Sequence, residues 1–493
     1  MLYRSTRGNG KVVGASAAII RGIAEDGGLY VPEEFPKITK SFQELGDMNY
    51  RELAFYIIKK YFDDFSDDEL RECIDRAYDE KFENSYIAPL NYKAEAYFLE
   101  LYHGKTLAFK DMALSILPYL LKTAVKKIGI TKEIVILTAT SGDTGKAALE
   151  GFDSVDKTKI VVFYPKDGVS EIQKRQMTTQ EGKNTFVVGI EGNFDDAQNG
   201  VKEIFSDKAF NELLNKNNYM LSSANSINIG RLVPQVVYYV YSYAKLLKDK
   251  KIQEGESINV VVPTGNFGNI LAAFYAKAMG VPLGRLICAS NENKVLTDFI
   301  NTGIYDRRRE FSVTNSPSMD ILISSNLERF LYEISDRDEQ LINNLMKQLK
   351  EEGKYEINED MKEKLKILYG DFADEKETLA AVKKVYETSE YVIDTHTAVA
   401  YEVYEKYKKN TYDDRAAVIA STASPFKFPR SINEVLNFAN SSTSDFEMVQ
   451  MLSEKMGVKI PRGIESLDKK EIRHKVTCKK DEMREVIKNF LGE

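Results

Sequence analysis

Short apolar strands alternate with amphipathic helices through the middle of this chain, and no other feature constrains its fold as tightly. Glu133-Ile-Val-Ile-Leu, Lys159-Ile-Val-Val-Phe-Tyr, Thr185-Phe-Val-Val-Gly-Ile, Ile258-Asn-Val-Val-Val and Arg285-Leu-Ile-Cys-Ala are runs rich in β-branched residues. Between and beside them the apolar spacing predicts helices over Gly145–Phe152, Ser170–Gln180, Asn193–Phe205, Asn228–Lys248 and Asn269–Met279. Strands alternating with helices predict an α/β fold with parallel or mixed open sheets. Sheets of that kind bind ligands beyond the carboxyl ends of their strands.

The flanks read differently. Residues 1–95 are glycine-punctuated at the start and then helical, over Tyr50 to Phe65 and Asp67 to Lys81. A core at 96–440 begins with a helix over Phe109–Ile128, interrupted by Pro118. Its smaller lobe is expected at about 130–220. Residues 306–390 are highly charged and show no clear strand, which predicts a solvated helical insertion. A further strand, Ala416-Ala-Val-Ile-Ala, precedes a charged helical tail at 441–493.

Composition narrows the chemistry. Lys and Arg number 68 against 75 Asp and Glu, a net charge of −7, which argues against a nucleic-acid partner. No apolar run approaches the roughly 18 residues of a membrane span, and the opening residues lack the apolar core of a signal peptide. A cytoplasmic location is expected. Cys73, Cys288 and Cys478 are odd in number and far apart, so they read as structural thiols. With His103, His396 and His474 they make a poor metal set, and no metal is expected. Reactivity must come from Lys, Ser, Thr, Asn, Asp and Gly, or from a cofactor.

Five segments stand where an α/β sheet binds ligands. Thr264-Gly-Asn-Phe-Gly-Asn269 follows a strand and opens a helix, as a phosphate cradle or as an ordinary turn. Thr138-Ala-Thr-Ser-Gly-Asp-Thr-Gly-Lys146 resembles a P-loop but lacks its first glycine and its terminal hydroxyl. It offers Ser141, Asp143 and Thr144 to a ligand, or to a helix cap. Lys110 opens a helix among Leu107, Ala108, Phe109 and Met112. Desolvation and the helix dipole would favour its neutral amine there, as a Schiff-base lysine requires. The alternative is a snorkelling surface lysine. Ser421-Thr-Ala-Ser-Pro-Phe-Lys427 and Asn225-Ser-Ile-Asn-Ile-Gly-Arg231 supply further hydroxyls, amides and cations.

Taken together and in order, these segments resemble threonine synthase, a pyridoxal-phosphate enzyme family of the tryptophan synthase β-like fold type. Ser5-Thr-Arg-Gly, Gly22-Ile-Ala-Glu-Asp-Gly-Gly-Leu-Tyr-Val-Pro, Ser316-Pro-Ser-Met-Asp-Ile and Asp394-x-His-Thr-Ala-Val also belong to the resemblance. It implies pyridoxal 5'-phosphate on Lys110, the cofactor phosphate cradled by Gly265, Asn266, Phe267 and Asn269, and Thr422 at the pyridine nitrogen. Asp143 would lie near the cofactor's 3'-oxygen. Ser141, Thr144, Asn225, Asn228 and Arg231 would bind substrate. The implied reaction converts O-phospho-L-homoserine and water to L-threonine and phosphate, with Lys110 as proton shuttle. Arg231, Lys105 and Lys427 are candidates for the substrate phosphate, and the protein is expected to be a monomer or homodimer.

Two positions depart from the family pattern. Lys105 replaces a proline, and Ser424 replaces a histidine. These changes leave room for a phospho-lyase that releases 2-oxobutanoate, ammonia and phosphate. A dehydratase acting on free threonine or serine and a non-catalytic interaction protein on the same fold are the more distant alternatives. His103 precedes a glycine turn near the inferred site, His396 in Asp394-Thr-His-Thr reads as orienting a loop rather than binding a ligand, His474 lies in the tail and reads as solvated, and Tyr238, Tyr239, Tyr241 and Tyr243 read as packing.

Overall fold

A computed structural model describes every residue except Ser141, Gly168 and Glu493, and the side chains of Phe194 and Asp195 are also left aside. Two open sheets organise it. The larger has six strands in the order Leu368–Phe372, Leu283–Ser290, Ile258–Pro263, Ala417–Ser421, Ala96–Glu100 and Leu90–Lys93. All its pairings are parallel except the edge pair Leu90–Lys93 and Ala96–Glu100. The smaller has five parallel strands in the order Val476–Cys478, Thr185–Ile190, Thr158–Pro165, Glu133–Ala139 and Tyr219–Ser222.

The β-branched composition explains the sheets. Every residue of Ile258–Pro263 and Ala417–Ser421 is buried, so both faces of the large sheet are covered. A run that is apolar on both faces has no solvated side to alternate with. Each fully buried Val or Ile there is worth roughly 1.5–3 kcal/mol relative to exposure. Ile229–Lys248 crosses the centre of the molecule as a nearly wholly buried helix, capped by Asn228. Pro118 stands at the start of Leu117–Ile128, separated from the short helix Asp111–Leu114, so the expected interruption is a break between two helices.

Three expectations for the flanks change. The first residues form a three-stranded antiparallel sheet, with Leu2–Ser5 between Val13–Gly14 and Tyr30–Pro32, before the helices Tyr50–Tyr61 and Asp67–Ala77 begin. Strands this short carry too few residues for a period to show. The charged segment 306–390 contains strand Leu368–Phe372, an edge of the large sheet, and a strand Lys354–Glu356 paired with Ile304–Asp306. Helix Leu327–Ile334 is buried at every position but Glu333, and Glu375–Ser389 buries one face, so neither is solvated all round. The tail donates Val476–Cys478 to the edge of the small sheet, and His474 is half-buried, with Nε2 3.0 Å from the Gln180 carbonyl.

Candidate active site

Strands of both sheets end at one place. Lys110 lies beyond Ala96–Glu100, Gly265 beyond Ile258–Pro263, Thr422 beyond Ala417–Ser421, and Asp143 beyond Glu133–Ala139. The chain before Lys110 is pinned to the neighbouring strand end. Phe109 N–H donates to the Thr422 carbonyl at 2.7 Å, and Ser424 N–H donates to the Leu107 carbonyl at 3.0 Å. Leu107 adopts φ 60°, a left-handed turn that only such surroundings impose on a leucine. Asp111 closes the turn by accepting from Thr106 N–H at 2.8 Å and Thr106 Oγ1 at 2.6 Å.

Lys110 is therefore a fixed, nearly buried amine. Its Nζ lies 3.4 Å from Asp143 Oδ2 and 3.1 Å from Ser318 Oγ, and Ser318 Oγ donates to the same carboxylate oxygen at 3.0 Å. Burial, reinforced by Lys427 and Arg231, pulls the Lys110 ammonium down to about 8 against the opposing effect of Asp143. Burial alone would raise Asp143, but Lys427 and Lys110 outweigh it and hold the carboxylate well below its usual range. Lys427 is fully buried, with Nζ 2.6 Å from Asp143 Oδ1 and 2.8 Å from the Thr106 carbonyl. Gln173 Nε2 completes the shell, 2.8 Å from Asp143 Oδ1.

The turn after Ile258–Pro263 has the features of an anion cradle. Phe267 takes φ 63° at the N-cap of Gly268–Ala278 and offers no side-chain cap, so the first-turn amides stay available. Gly265 admits no side chain, because a Cβ would stand 2.7 Å from the Ser318 carbonyl oxygen. The loop is braced from behind by Ser324 Oγ on the Gly265 carbonyl at 2.8 Å and by Asn326 on the Asn266 carbonyl. Asn269 accepts from the Tyr238 and Tyr239 hydroxyls through Oδ1, while its buried Nδ2 has no partner among the described residues. Two of the packing tyrosines thus also orient a donor.

The other expected residues divide. Arg231 is buried beside Lys110, donates from one terminal nitrogen to the Ala224 carbonyl at 2.8 Å, leaves Nε unpaired and has no ion pair among the described residues. Burial lowers it to about 10. Asn228 is spent on structure: it caps the central helix through Oδ1 and donates Nδ2 to the Ile19 and Ser223 carbonyls. Asn225 lies in the turn before that helix, where its carbonyl accepts from Asn228 N–H. Thr144 is half-buried in the first turn of Asp143–Phe152. Ser141 lies outside the described residues. Lys105 is half-exposed and pairs with Glu150 at 3.3 Å. Ser424 caps the turn Pro425–Lys427, and His103 pairs with buried Glu100 at 2.7 Å. Ser318 and Gln173 were given no role in the sequence. The motif containing Ser318 was visible, but nothing in it announces a contact with Lys110.

These residues fit pyridoxal phosphate on structural grounds. The site offers a buried amine, an uncapped helix start, and unpartnered polar atoms at Arg231 Nε, Asn269 Nδ2 and Ser421 Oγ. Buried polar groups are seldom left unpaired without a ligand or water to meet them.

Comparison with known proteins agrees. The chain matches the family "Pyridoxal-phosphate dependent enzyme" over residues 88–422, "Threonine synthase N terminus" over 2–78 and "Threonine synthase, C-terminal" over 397–487. Threonine synthase of Saccharomyces cerevisiae is 36% identical, over 90% of each chain. The chain belongs to the threonine synthase family. The structure overlays on that of yeast threonine synthase with a TM-score of 0.87 at 32% identity, covering 100% of this chain and 99% of that one. The PLP-bound threonine synthase from Brucella melitensis gives 0.86 at 33%, covering 99% of each. Both place the family's α/β fold on the whole molecule. "Threonine synthase-like 1" of Homo sapiens is 41% identical over 89% of this chain, and the chain spans 60% of that relative's length.

Proposed function

We propose that this protein converts O-phospho-L-homoserine and water to L-threonine and phosphate, using pyridoxal 5'-phosphate held on Lys110. The observation that carries the reading is the Lys110 amine, buried between strand ends and brought down to about 8. Such an amine is partly neutral near pH 7–8, as both covalent attachment and proton transfer require.

Bound pyridoxal phosphate supplies a conjugated electron sink for the charge left when a proton leaves carbon. The chain's own residues do the rest. Gly265, Asn266, Phe267 and Asn269 would hold the cofactor phosphate on loop amides and one side-chain donor. Thr422 stands at the strand end where the ring nitrogen would lie. Lys110 Nζ, freed when the substrate amine takes its place, would take the proton from the carbon next to that amine and return it later. Asp143, kept ionised by two lysines, keeps Nζ in place. Arg231, a buried cation without a carboxylate partner among the described residues, would meet the substrate phosphate, and Asn225 and Thr144 would line the same approach. Lys427 is committed to Asp143 and the Thr106 carbonyl, and Lys105 to Glu150, so Arg231 is the better candidate of the three.

Ser424 favours one second reading. Where the family has a histidine, this chain has a buried hydroxyl that caps a turn, so the site has one fewer base to direct water. Loss of that control would give 2-oxobutanoate, ammonia and phosphate. Incubation with O-phospho-L-homoserine and identification of the organic product tests both: threonine supports the main reading and 2-oxobutanoate the second. A cytoplasmic location is part of the same proposal, and three buried free thiols fit a reducing compartment. Among the described residues no helix is long and apolar enough to cross a membrane, and no group of three or more His, Cys, Asp or Glu could hold a metal ion.

A further inference from the structure

Ser318 reaches Lys110 from the charged segment 306–390, where the sequence predicts a solvated helical insertion. It sits in the single turn Pro317–Met319, where its hydroxyl bridges Lys110 Nζ and Asp143 Oδ2 at 3.1 and 3.0 Å. The geometry of that bridge is set from the other side. Ser318 N–H donates to His396 Nε2 at 3.2 Å, and His396 Nδ1 lies 2.8 Å from Asp394 Oδ2. Both members of the pair are buried, His396 at 2% exposure and Asp394 at 0%. An Nε2 that accepts an amide proton leaves the ring proton on Nδ1, where the carboxylate receives it. Asp394 is itself fixed as the N-cap of Thr395–Thr411, accepting from the His396 and Thr397 amides. The ring is packed against Phe428, with centroids 5.1 Å apart.

The far end of the turn is equally constrained. Asp320 accepts from Asn291, Asn293 and Thr314, at 2.7, 2.9 and 2.8 Å on Oδ1. The Ser318 carbonyl also backs Gly265, so one turn touches both the amine and the phosphate loop. The turn is thus held at both ends, and its Ser318 hydroxyl is directed at the amine expected to react and at the carboxylate beside it.

We infer that Ser318 is a positioning residue for the Lys110 amine, and that the buried His396–Asp394 pair sets where Ser318 stands. The inference rests on the reading of Lys110 as the reactive amine. Because the Ser318 O–H donates to Asp143, its lone pair accepts from Nζ–H and favours the charged amine. Asp143, Lys427 and Arg231 are the other charged groups that act on Lys110. The chain Asp394–His396–Ser318 thereby opposes the burial that lowers Lys110.

The test is the titration of Lys110 in the full-length, cofactor-free protein. Competitive labelling of wild-type protein with acetic anhydride from pH 6 to 10, read by mass spectrometry of the Lys110 peptide, should give a midpoint of about 8. Ser318→Ala should lower that midpoint by about half a unit, the size that one net hydrogen bond supports. His396→Asn keeps a partner for Asp394 but is too short to reach the Ser318 amide, and should lower it similarly. His396→Gln carries an acceptor to the Nε2 position and should restore the wild-type midpoint. Ser318→Ala with His396→Asn should shift no further than either alone. An unchanged midpoint in Ser318→Ala overturns the contact with Lys110. A shift in Ser318→Ala with none in His396→Asn, or equal shifts in His396→Asn and His396→Gln, overturns the role of the pair. Failure of the proposed reaction would show separately, as absent phosphate release from wild-type protein whose Lys110 midpoint is normal.

Discussion

Lys427 Nζ lies 2.6 Å from Asp143 Oδ1, and Lys110 Nζ lies 3.4 Å from the other oxygen of the same carboxylate. Two buried lysines share one buried acid, and the closer of them is not the one proposed to react. Lys427 makes the closer ion pair with Asp143, and Lys110 the longer one. Burial, with the like charges of Lys427 and Arg231, outweighs the nearby aspartate and brings Lys110 down to about 8.

Removal of the shared acid should be costly. Asp143→Asn strands Lys427 in the interior without a counter-charge, and such losses run to about 3–5 kcal/mol. Urea unfolding should show a midpoint well below wild type. Adding Lys427→Met to Asp143→Asn should recover part of the loss, because no uncompensated charge then remains at that position. Equal stability of the single and double variants would contradict the pairing.

The direction of the Lys110 shift fixes a pH dependence. Folded Lys110 releases its proton near 8, while the unfolded residue holds it to about 10.5. Below about 8 both states are charged and the fold carries the full penalty, so this residue's penalty is relieved as pH rises from about 8 to 10.5. The wild type should therefore gain stability relative to Lys110→Met across that window. The rate at which cofactor-free protein captures pyridoxal phosphate should climb roughly tenfold per unit below pH 8, as the neutral amine grows, and flatten above it. Stopped-flow absorbance from pH 6 to 9.5 measures it.

Arg231 should separate substrate binding from stability. It is a buried cation without an ion pair among the described residues, so Arg231→Met relieves a charge and should keep the fold. In protein loaded with cofactor, KM for O-phospho-L-homoserine should rise on the order of tenfold to a hundredfold, as expected for a lost charge-assisted contact. Inorganic phosphate should raise the Tm of loaded wild type and have little effect on the variant.

Gly265 should tolerate no side chain. A Cβ there meets the backbone oxygen of Ser318 at 2.7 Å, so Gly265→Ala must displace either the phosphate loop or the turn that holds Ser318. Cofactor affinity, followed by fluorescence or equilibrium dialysis, should fall at least about tenfold, the equivalent of ~1.4 kcal/mol.

Much of this was legible in the sequence where strands were buried on both faces. Ile258–Pro263, Thr185–Ile190 and Glu133–Ala139 announce themselves as β-branched runs, and the residues just beyond the first and last of them supply Gly265 and Asp143. Leu368–Phe372 did not, because a five-residue strand with a central glycine lies between two charged helices. Ser318 was hidden for a different reason. Its contact with Lys110 spans 208 positions, and only the tertiary fold brings a turn of a charged segment to an amine near the start of the core. Asn228 shows the opposite effect. Its motif suggested a ligand contact, whereas its side chain is taken up by the cap of the central helix and two carbonyls.

The central claim is that Lys110 and its bound cofactor turn a phosphorylated amino acid into threonine. Purified protein loaded with pyridoxal phosphate should be incubated with O-phospho-L-homoserine, and both released phosphate and organic product quantified beside a Lys110→Ala control. The account predicts L-threonine and phosphate in equal amounts from wild type and neither from the control. Phosphate accompanied by 2-oxobutanoate and ammonia, or turnover that survives loss of Lys110, would contradict it.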